Sequence, residues 1–263
     1  MNDIFTRNDS YAGERYEPSM IFNRVLRLTG EDGFYRLQNA RVILFGLGGV
    51  GSWTAEALVR SGIGHIAIVD ADRVAVSNIN RQLPATTATV GRPKTEVMVE
   101  RLREINPDCD ILPYNCLYTK DTSEKFGLQD YDYVIDAIDS LADKASLILN
   151  ATSLRGVRLV SSMGAALKMD PTKISVAEFW KVTGCPLAAA LRRRFKKTGE
   201  KPGRKFKCVY SPELIANHDV PEDNSGAMTF NKVVVNGAMC HITAIFGMTL
   251  SGLVIEDILK RAD

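Results

Sequence analysis

A glycine-rich turn directly after a short apolar run is the feature that most limits how this chain folds. Residues 41–45 read Arg-Val-Ile-Leu-Phe, and residues 46–52 read Gly-Leu-Gly-Gly-Val-Gly-Ser. The apolar run predicts a buried strand, and the apolar spacing over 51–61 predicts a helix. Glycines in such a turn let backbone amides and the helix N-terminus approach a phosphate. The candidate phosphate-binding residues are Gly46, Gly48, Gly49 and Gly51.

The alternation of apolar runs and helical patterns continues through residue 162. Further strands are predicted at 65–69, 109–113, 131–135 and 158–162, and further helices at 94–105 and 141–154. Such alternation gives βαβ units and a mostly parallel sheet. The predicted fold class is α/β, a Rossmann-like, mostly parallel sheet with helices on both faces and a less regular C-terminal portion. In that portion we predict a strand at 173–179 and a helix at 186–197.

The composition is that of an ordinary globular protein, with 45% apolar and 24% charged residues. The first residues are polar and lack the apolar segment of a secretory signal. The five cysteines include no C-x-x-C pair, and there are only three histidines. Neither a disulfide framework nor a structural zinc site is therefore predicted. We expect a reduced, cytoplasmic protein.

A polar segment follows the second predicted strand. Asp70 ends that strand, where a carboxylate of a nucleotide-binding fold accepts hydrogen bonds from ribose hydroxyls. Arginine and lysine beyond it favour nucleotidyl transfer over hydride transfer, because fixed cations stabilise the charge that develops on phosphates. The bland alternative is an ordinary polar surface loop. The candidate nucleotide-binding residues of this segment are Asp70, Asp72, Asn78, Arg81, Gln82 and Lys94, with Arg81 and Lys94 also catalytic candidates.

Two carboxylates follow the strand predicted at 131–135, at the sheet edge where the glycine turn also lies. Asp136 and Asp139 suit Mg²⁺, which is held by one or two carboxylates together with phosphate oxygens. We predict Asp139 as the metal ligand and include it among the catalytic residues. Asp136 has two interpretations, as a second ligand or as a cap of the following helix.

The segment 192–207 is strongly basic. It contains nine Lys or Arg residues and one Glu, whereas the whole chain has a net charge of +2. A local cationic segment favours a polyanionic partner, and its glycines and proline favour a loop. The alternative is a solvated, mobile loop without a partner. The candidate polyanion-binding residues are Arg192, Arg193, Arg194, Lys196, Lys197 and Lys205.

Residues 233–255 are long and apolar enough to raise the question of a membrane. The stretch contains Asn236, His241 and three glycines, an interior that a spanning helix rarely tolerates. We predict a buried helix or a dimer interface, with membrane association as the alternative.

In this order, the motifs resemble those of the ubiquitin-activating-enzyme-like adenylyltransferases. The match covers 46–52, Asp70 with Asp72, 77–82, Lys94 and 136–139. The resemblance implies that the chain binds ATP and Mg²⁺ and activates a carboxylate as an acyl-adenylate. It also implies a homodimer in which an N-terminal arginine, here Arg24, reaches the partner's phosphates. The implied organisation is an N-terminal arm over 1–30 and a single ATP-binding domain over 31–263.

Over nearly the whole chain, the sequence more closely resembles the tRNA threonylcarbamoyladenosine dehydratases. This likeness rests on 48–53, 136–140, 163–165, 170–172 and 186–188. These enzymes use ATP to close the threonylcarbamoyl side chain of a modified anticodon-loop adenosine into a ring, with net loss of water. The resemblance implies that the basic segment binds tRNA through its phosphates, which supply affinity rather than sequence specificity.

Three other functions remain open from the sequence. An adenylyltransferase for a ubiquitin-like or sulfur-carrier protein would use the same ATP residues, with Cys185 forming a thioester and a sulfur-transfer protein as partner. The basic segment and the absent C-x-x-C pairs count against it. A tRNA-binding scaffold would not need the charges of Arg81, Lys94 and Asp139. An NAD oxidoreductase would copurify with its cofactor.

Overall fold

The computed structural model describes residues 16–218 and 236–260. The described strands are β1 Arg41–Phe45, β2 His65–Val69, β3 Asp110–Tyr114, β4 Tyr133–Asp136, β5 Arg158–Ser162, β6 Ser175–Glu178 and β7 Lys207–Tyr210. The described helices are α1 Pro18–Ile21, α2 Asn23–Asn39, α3 Gly51–Arg60, α4 Lys94–Ile105, α5 Leu141–Ser153, α6 Pro186–Thr198 and α7 Cys240–Lys260. Each strand and helix predicted from the sequence has a counterpart here, with ends that shift by a few residues.

The strands form one sheet in the order β3-β2-β1-β4-β5-β7-β6. Neighbouring strands are parallel, except that β6 runs antiparallel to β7. The strand order reverses at β1, which lies between β2 and β4, and ligands of such sheets bind at this switch point. In register, Phe45 pairs with both Val69 and Asp136, so three strands end together there. The predicted fold class is confirmed.

Helices cover both faces of the sheet, as predicted, and each face has its own apolar core. On one face, Leu58 of α3, Leu102 of α4 and Phe246 of α7 are fully buried in a common cluster. On the other face, Leu147 of α5 and Leu191 of α6 are buried in a second cluster. Side chains of β1, β2 and β4 enter both cores, so these three strands are packed on both faces up to the ends at which they meet.

The basic segment is more regular than predicted. Helix α6 continues to Thr198 and β7 begins at Lys207, so the prediction of a loop over 192–207 is wrong at both ends. Phe195 is buried in the core although cations flank it in sequence. The helix is therefore amphipathic, and burial of its apolar face outweighs the repulsion between neighbouring charges.

Helix α2 crosses the predicted boundary between the N-terminal arm and the domain. Gly30 interrupts the helix with a φ of 70°, a conformation that glycine adopts without steric strain. The helix continues on both sides of this kink, and Leu37 beyond it joins the core. The boundary at residue 30 stays a prediction, and residues 1–15 of the arm lie outside the described residues.

The apolar stretch 233–255 contributes most of α7, and its first three residues lie outside the described residues. Of the described helices, α7 is long and apolar enough to span a membrane, with a mean hydropathy of 1.7. Its backbone nevertheless contacts α3, since a Cβ on Gly247 would lie 2.5 Å from the carbonyl oxygen of Val50. Phe246 and Leu250 are fully buried. One face of this helix is buried, as the sequence predicted, while less than half of its apolar window is buried in all.

Candidate nucleotide-binding site

The glycine turn between β1 and α3 packs so tightly that side chains are excluded from it. Gly46 has a φ of 92°, and a Cβ on it would lie 2.8 Å from the carbonyl oxygen of Ala137. A Cβ on Gly51 would lie 1.8 Å from the carbonyl oxygen of Gly46. Around Gly48, by contrast, a Cβ would meet only the Gln82 amide, at 3.9 Å. The turn therefore has a closed side against β4 and an open side toward Gln82.

Asp70 joins the end of β2 to the glycine turn. Its Oδ2 accepts a hydrogen bond of 2.6 Å from the Leu47 amide, and its Oδ1 accepts one of 2.8 Å from the Asp72 amide. Burial raises the pKa of this carboxyl, and the charge of Lys94 opposes the rise. Asp70 therefore stabilises the conformation of the glycine turn, a role that the sequence did not predict. Its predicted contact with a ribose stays a prediction.

Lys94 is a buried cation at the start of α4. Its side chain is 5% exposed, and its Nζ lies 2.8 Å from Asp72 Oδ2 and 4.0 Å from Asp70 Oδ1. The three residues predicted as part of one nucleotide site are thereby brought together. Asp72 is half-exposed, so the Lys94–Asp72 ion pair borders solvent on the Asp72 side.

The segment 77–82 contains three predicted site residues, and one of them, Asn78, has a different role in the structure. Arg81 Nη1 donates to the Ser77 carbonyl oxygen and to Asn80 Oδ1, each at 2.9 Å. Burial lowers the pKa of Arg81, and the nearby charge of Asp139 opposes this effect. Asn78 is buried and accepts from the Ala75 amide at 3.1 Å, so it shapes the backbone.

Gln82 offers an unused acceptor beside the glycine turn. Its Oε1 is buried and has no hydrogen-bond partner among the described residues. Because a buried acceptor without a partner costs free energy, a donor from a ligand at this position would be bound favourably. The predicted role of Gln82 in nucleotide binding therefore has a physical basis in the structure.

Asp136 is neither a free metal ligand nor a helix cap, so both interpretations made for it are wrong. Its Oδ2 accepts from Lys144 Nζ and from Ser161 Oγ, each at 2.7 Å, and its Oδ1 accepts from the Ile138 amide at 3.1 Å. The side chains of Asp136 and Lys144 are fully buried. The residue at the N-cap of α5 is Ser140. Asp136 is one half of a buried ion pair that holds the loop after β4.

Asp139 is exposed on that loop, and its charge acts on Arg81. Among the described residues, no group of three His, Cys, Asp or Glu side chains comes together to hold a metal. Asp70, Asp72 and Asp136 at this edge bind protein donors, and one further exposed carboxylate, Asp139, matches the way proteins bind Mg²⁺, mainly through phosphate oxygens and water. The donor set therefore fits an ion that arrives with a nucleotide.

A sequence model of the ThiF family matches residues 22–260 of this chain. This chain belongs to the ThiF family. It is 37% identical over 243 residues to the tRNA threonylcarbamoyladenosine dehydratase of Bacillus subtilis, covering 91% of this chain and 94% of that protein. The molybdopterin-synthase adenylyltransferase of Escherichia coli is 37% identical over 152 residues, which cover 57% of this chain and 59% of that protein.

A solved structure matches this ThiF-family chain over nearly its full length. It is the crystal structure of the Escherichia coli tRNA N6-threonylcarbamoyladenosine dehydratase in complex with ATP. The TM-score is 0.79 at 36% identity, and the match covers 92% of this chain and 94% of the other. The resemblance that the motifs indicated is therefore confirmed.

Two other sequence candidates of the ThiF-family chain are not part of the glycine turn. Arg24 is exposed on the first turn of α2, and it makes no hydrogen bond or ion pair within the described residues. Cys185 precedes α6 and is 3% exposed. Its Sγ would lie 3.9 Å from a Cβ on Gly164, just beyond β5. A thiol this buried is not placed to accept an acyl group from a carrier protein.

In the structure, the cations of the basic segment fall into two groups, one that stabilises the fold and one that is exposed to solvent. Arg192 Nη1 donates to the carbonyl oxygens of Phe179 and Val182, at 3.1 and 2.9 Å, and its guanidinium lies over the Phe179 ring. The prediction that Arg192 binds a polyanion is therefore withdrawn, because its donors stabilise the turn before α6. Arg193, Arg194, Lys196, Lys197 and Lys205 are exposed and stay candidates.

Sequence reasoning missed the residues of neighbouring elements that contact the site residues from the protein interior. Lys144 and Ser161 bind Asp136, and Thr243 of α7 contacts Gly49. Lys144 had one local signal, since it directly precedes the apolar stretch of α5, where a lysine needs a partner once buried. Neither Ser161 nor Thr243 stands in a pattern that distinguishes it from an ordinary core residue.

Proposed function

We propose that this chain is an ATP-dependent tRNA threonylcarbamoyladenosine dehydratase. The observation that carries the proposal is the full-length likeness to dehydratases, one of them solved with ATP. The site geometry agrees with it, because the acceptor Gln82 lies at the open side of the glycine turn and the cation Lys94 lies beside Asp70, whose carboxylate binds the turn. Because the substrate is a tRNA, we also propose that the protein acts in the cytoplasm.

The proposed reaction has two steps. A carboxylate oxygen of the threonylcarbamoyl group attacks the α-phosphorus of ATP, the bond to the bridging oxygen breaks, and pyrophosphate leaves. The carbamoyl group then attacks the acyl carbon and loses a proton, and AMP leaves with the carboxylate oxygen. The RNA loses one water in total. Ring closure is intramolecular, so proximity contributes much of the rate.

Each proposed role follows from a position in the site. The amides of the glycine turn and the N-terminus of α3 bind phosphate oxygens. Lys94, which is buried, and Arg81, which is half-buried, stabilise the charge that develops during pyrophosphate release, because cations held in fixed positions stabilise a transition state in which negative charge develops. Asp139 would hold the Mg²⁺ that screens the phosphate charges. Asp70 keeps the turn in shape and accepts from the ribose.

A sulfur-carrier adenylyltransferase is the second candidate, favoured only by the shared ATP residues and by the shorter match to the molybdopterin-synthase enzyme. A sulfur-transfer protein would then be a partner of this chain. Burial of Cys185 disfavours it, since the thiol would have to become exposed before it could receive an acyl group. We therefore give the dehydratase precedence.

The function is tested by nucleoside mass spectrometry of tRNA that carries threonylcarbamoyladenosine. Incubation with the protein, ATP and Mg²⁺ is expected to reduce the nucleoside mass by that of one water, with one AMP formed per modified nucleoside. Omission of ATP is the control. Unchanged nucleosides, together with ATP–pyrophosphate exchange that requires a ubiquitin-like carrier, would support the second candidate instead.

A mixing experiment tests the proposed homodimer and the role of Arg24 in the partner's site. Arg24→Ala and Lys94→Ala are each expected to be inactive alone. After mixing and subunit exchange, about a quarter of all sites combine both native residues if exchange is random, and that fraction of activity should return. The control is Arg24→Ala mixed with itself. Absence of recovery in mixed dimers would show that Arg24 does not act across the interface.

A further inference from the structure

Helix α6 runs from the edge of the sheet formed by the carboxyl ends of the parallel strands to the opposite edge, formed by their amino ends. Its N-terminal end lies beside the carboxyl end of β5, because the Cys185 Sγ would lie 3.9 Å from a Cβ on Gly164. The chain after its C-terminal end lies beside the start of β5. There the Gly203 amide donates to Thr152 Oγ1 at 3.0 Å, and Arg204 donates to the Val157 carbonyl oxygen at 2.9 Å. The glycine turn is at the first edge, so the end of α6 is remote from the nucleotide site.

The exposed cations of the basic segment lie toward the remote edge. We call these residues the basic surface: Arg193, Arg194, Lys196, Lys197, Lys201 and Lys205. All six are exposed, and none forms an ion pair within the described part of the chain. Arg204, by contrast, donates to backbone carbonyl oxygens where α5 ends, so it is structural. Six exposed cations without counter-charges form a surface suited to a polyanion.

The distance between the site and the basic surface limits which phosphates can be bound. At 1.5 Å per residue, Arg193 lies about 12 Å and Lys197 about 18 Å along α6 from Cys185. Phosphates on one strand of a B-form duplex are spaced by roughly 3.4 Å along the axis, and an A-form RNA duplex has a shorter rise per nucleotide. The bound phosphates therefore belong to nucleotides at least about four positions from the reacting one. In an anticodon arm, that distance lies beyond the loop.

We propose that the basic surface binds the double-stranded stem of the anticodon arm, while the modified loop base enters the site at the other edge. This inference rests on the proposed function for its partner. Recognition of an RNA duplex through phosphates and shape does not depend on sequence. A cavity of about 260 Å³ adjoins the surface where β4, β5 and β7 begin, and Lys205 and Lys207 line it. The remote edge thus offers a concave, cationic face.

Binding of anticodon-arm hairpins to the purified full chain, measured by fluorescence anisotropy, tests this proposal. Three unmodified RNAs are compared, one with the full stem, one with half of the stem and one with the loop alone. The test variant is Arg193→Gln/Lys197→Gln, which keeps helix propensity. The matched control is Lys120→Gln/Lys125→Gln, which removes the same charge at exposed positions outside the surface.

For the full stem, the test variant is expected to raise Kd roughly tenfold and to reduce the dependence of binding on salt. For the loop alone, the test variant and the wild type should have the same Kd. The control variant should match the wild type with all three RNAs. Equal weakening for every RNA would place the loop on the basic surface and overturn the proposal, as would no weakening at all.

The readout separates this proposal from the proposed function. It measures binding of unmodified RNA, so it gives a result even if no dehydration is found. A protein that dehydrates its tRNA but binds all three hairpins alike would keep the function and lose the stem contact. Competition by an acidic protein rather than by duplex RNA would likewise overturn the stem assignment.

Discussion

Lys94→Ala is expected to lower the rate of AMP formation by about 10²–10³-fold, the range found when one fixed donor is removed from a charge-stabilising site. The Nζ of Lys94 lies within 4.0 Å of two carboxylates, and the Lys94 side chain is 5% exposed. In the variant, water at this buried position therefore substitutes poorly for the missing ammonium group. Single-turnover assays of AMP release at saturating ATP measure the effect.

Lys94→Ala should raise the pKa of Asp70 in addition to removing the proposed phosphate contacts. Lys94 opposes the rise in the pKa of Asp70 that burial causes, so its removal lets that pKa rise further. Arg92→Ala is the matched control, because Arg92 is a neighbouring cation that pairs with Glu100 instead. Thermal unfolding of both variants separates lost chemistry from lost structure. Wild-type turnover in Lys94→Ala would refute a catalytic role for this residue.

Lys144→Met is expected to cost about 3–5 kcal/mol of unfolding free energy, the usual effect of leaving a buried charge without its partner. Both side chains of the Asp136–Lys144 pair are fully buried, and Lys144 Nζ also donates to the Ile138 carbonyl oxygen at 2.8 Å. Methionine keeps the side-chain length but cannot donate. Urea unfolding followed by circular dichroism measures the loss.

Two further variants isolate the charge. Ser161→Ala removes one hydrogen bond to the Asp136 carboxylate and is expected to cost about 1.5–3 kcal/mol, less than loss of the Lys144 charge. Asp136→Asn/Lys144→Met removes both charges and should recover much of the stability that the single variant loses, as a double-mutant cycle reports. A double variant as unstable as Lys144→Met would show that packing, rather than the unpaired charge, governs the effect.

Some parts of the site could be predicted because they depend on residues adjacent in sequence. The glycine turn, the helix after it and the acidic end of β2 follow from local patterns, and the structure has them as predicted. Asp136 could not be predicted in this way. Its partners Lys144 and Ser161 come from α5 and β5, and nothing local to residue 136 indicates that they meet there.

The basic segment shows the same division. Charge alone predicted a polyanion surface, but Arg192 and Arg194 are indistinguishable in sequence. Only the packed structure turns Arg192 toward the carbonyl oxygens of Phe179 and Val182 and leaves Arg194 exposed. The direction of α6 then carries the cations to the edge away from the nucleotide site.

The α/β class and the glycine turn could be predicted from the amino-acid sequence, because strand and helix periodicity and glycine spacing are local properties. The resemblance to dehydratases came from motifs along the chain. Which charges are buried in pairs, which cations face solvent and how far the basic surface lies from the site emerged only from the packed structure. These depend on contacts between residues distant in the chain. Whether a charged side chain needs a partner or a ligand is settled by its burial, and burial exists only after the elements pack.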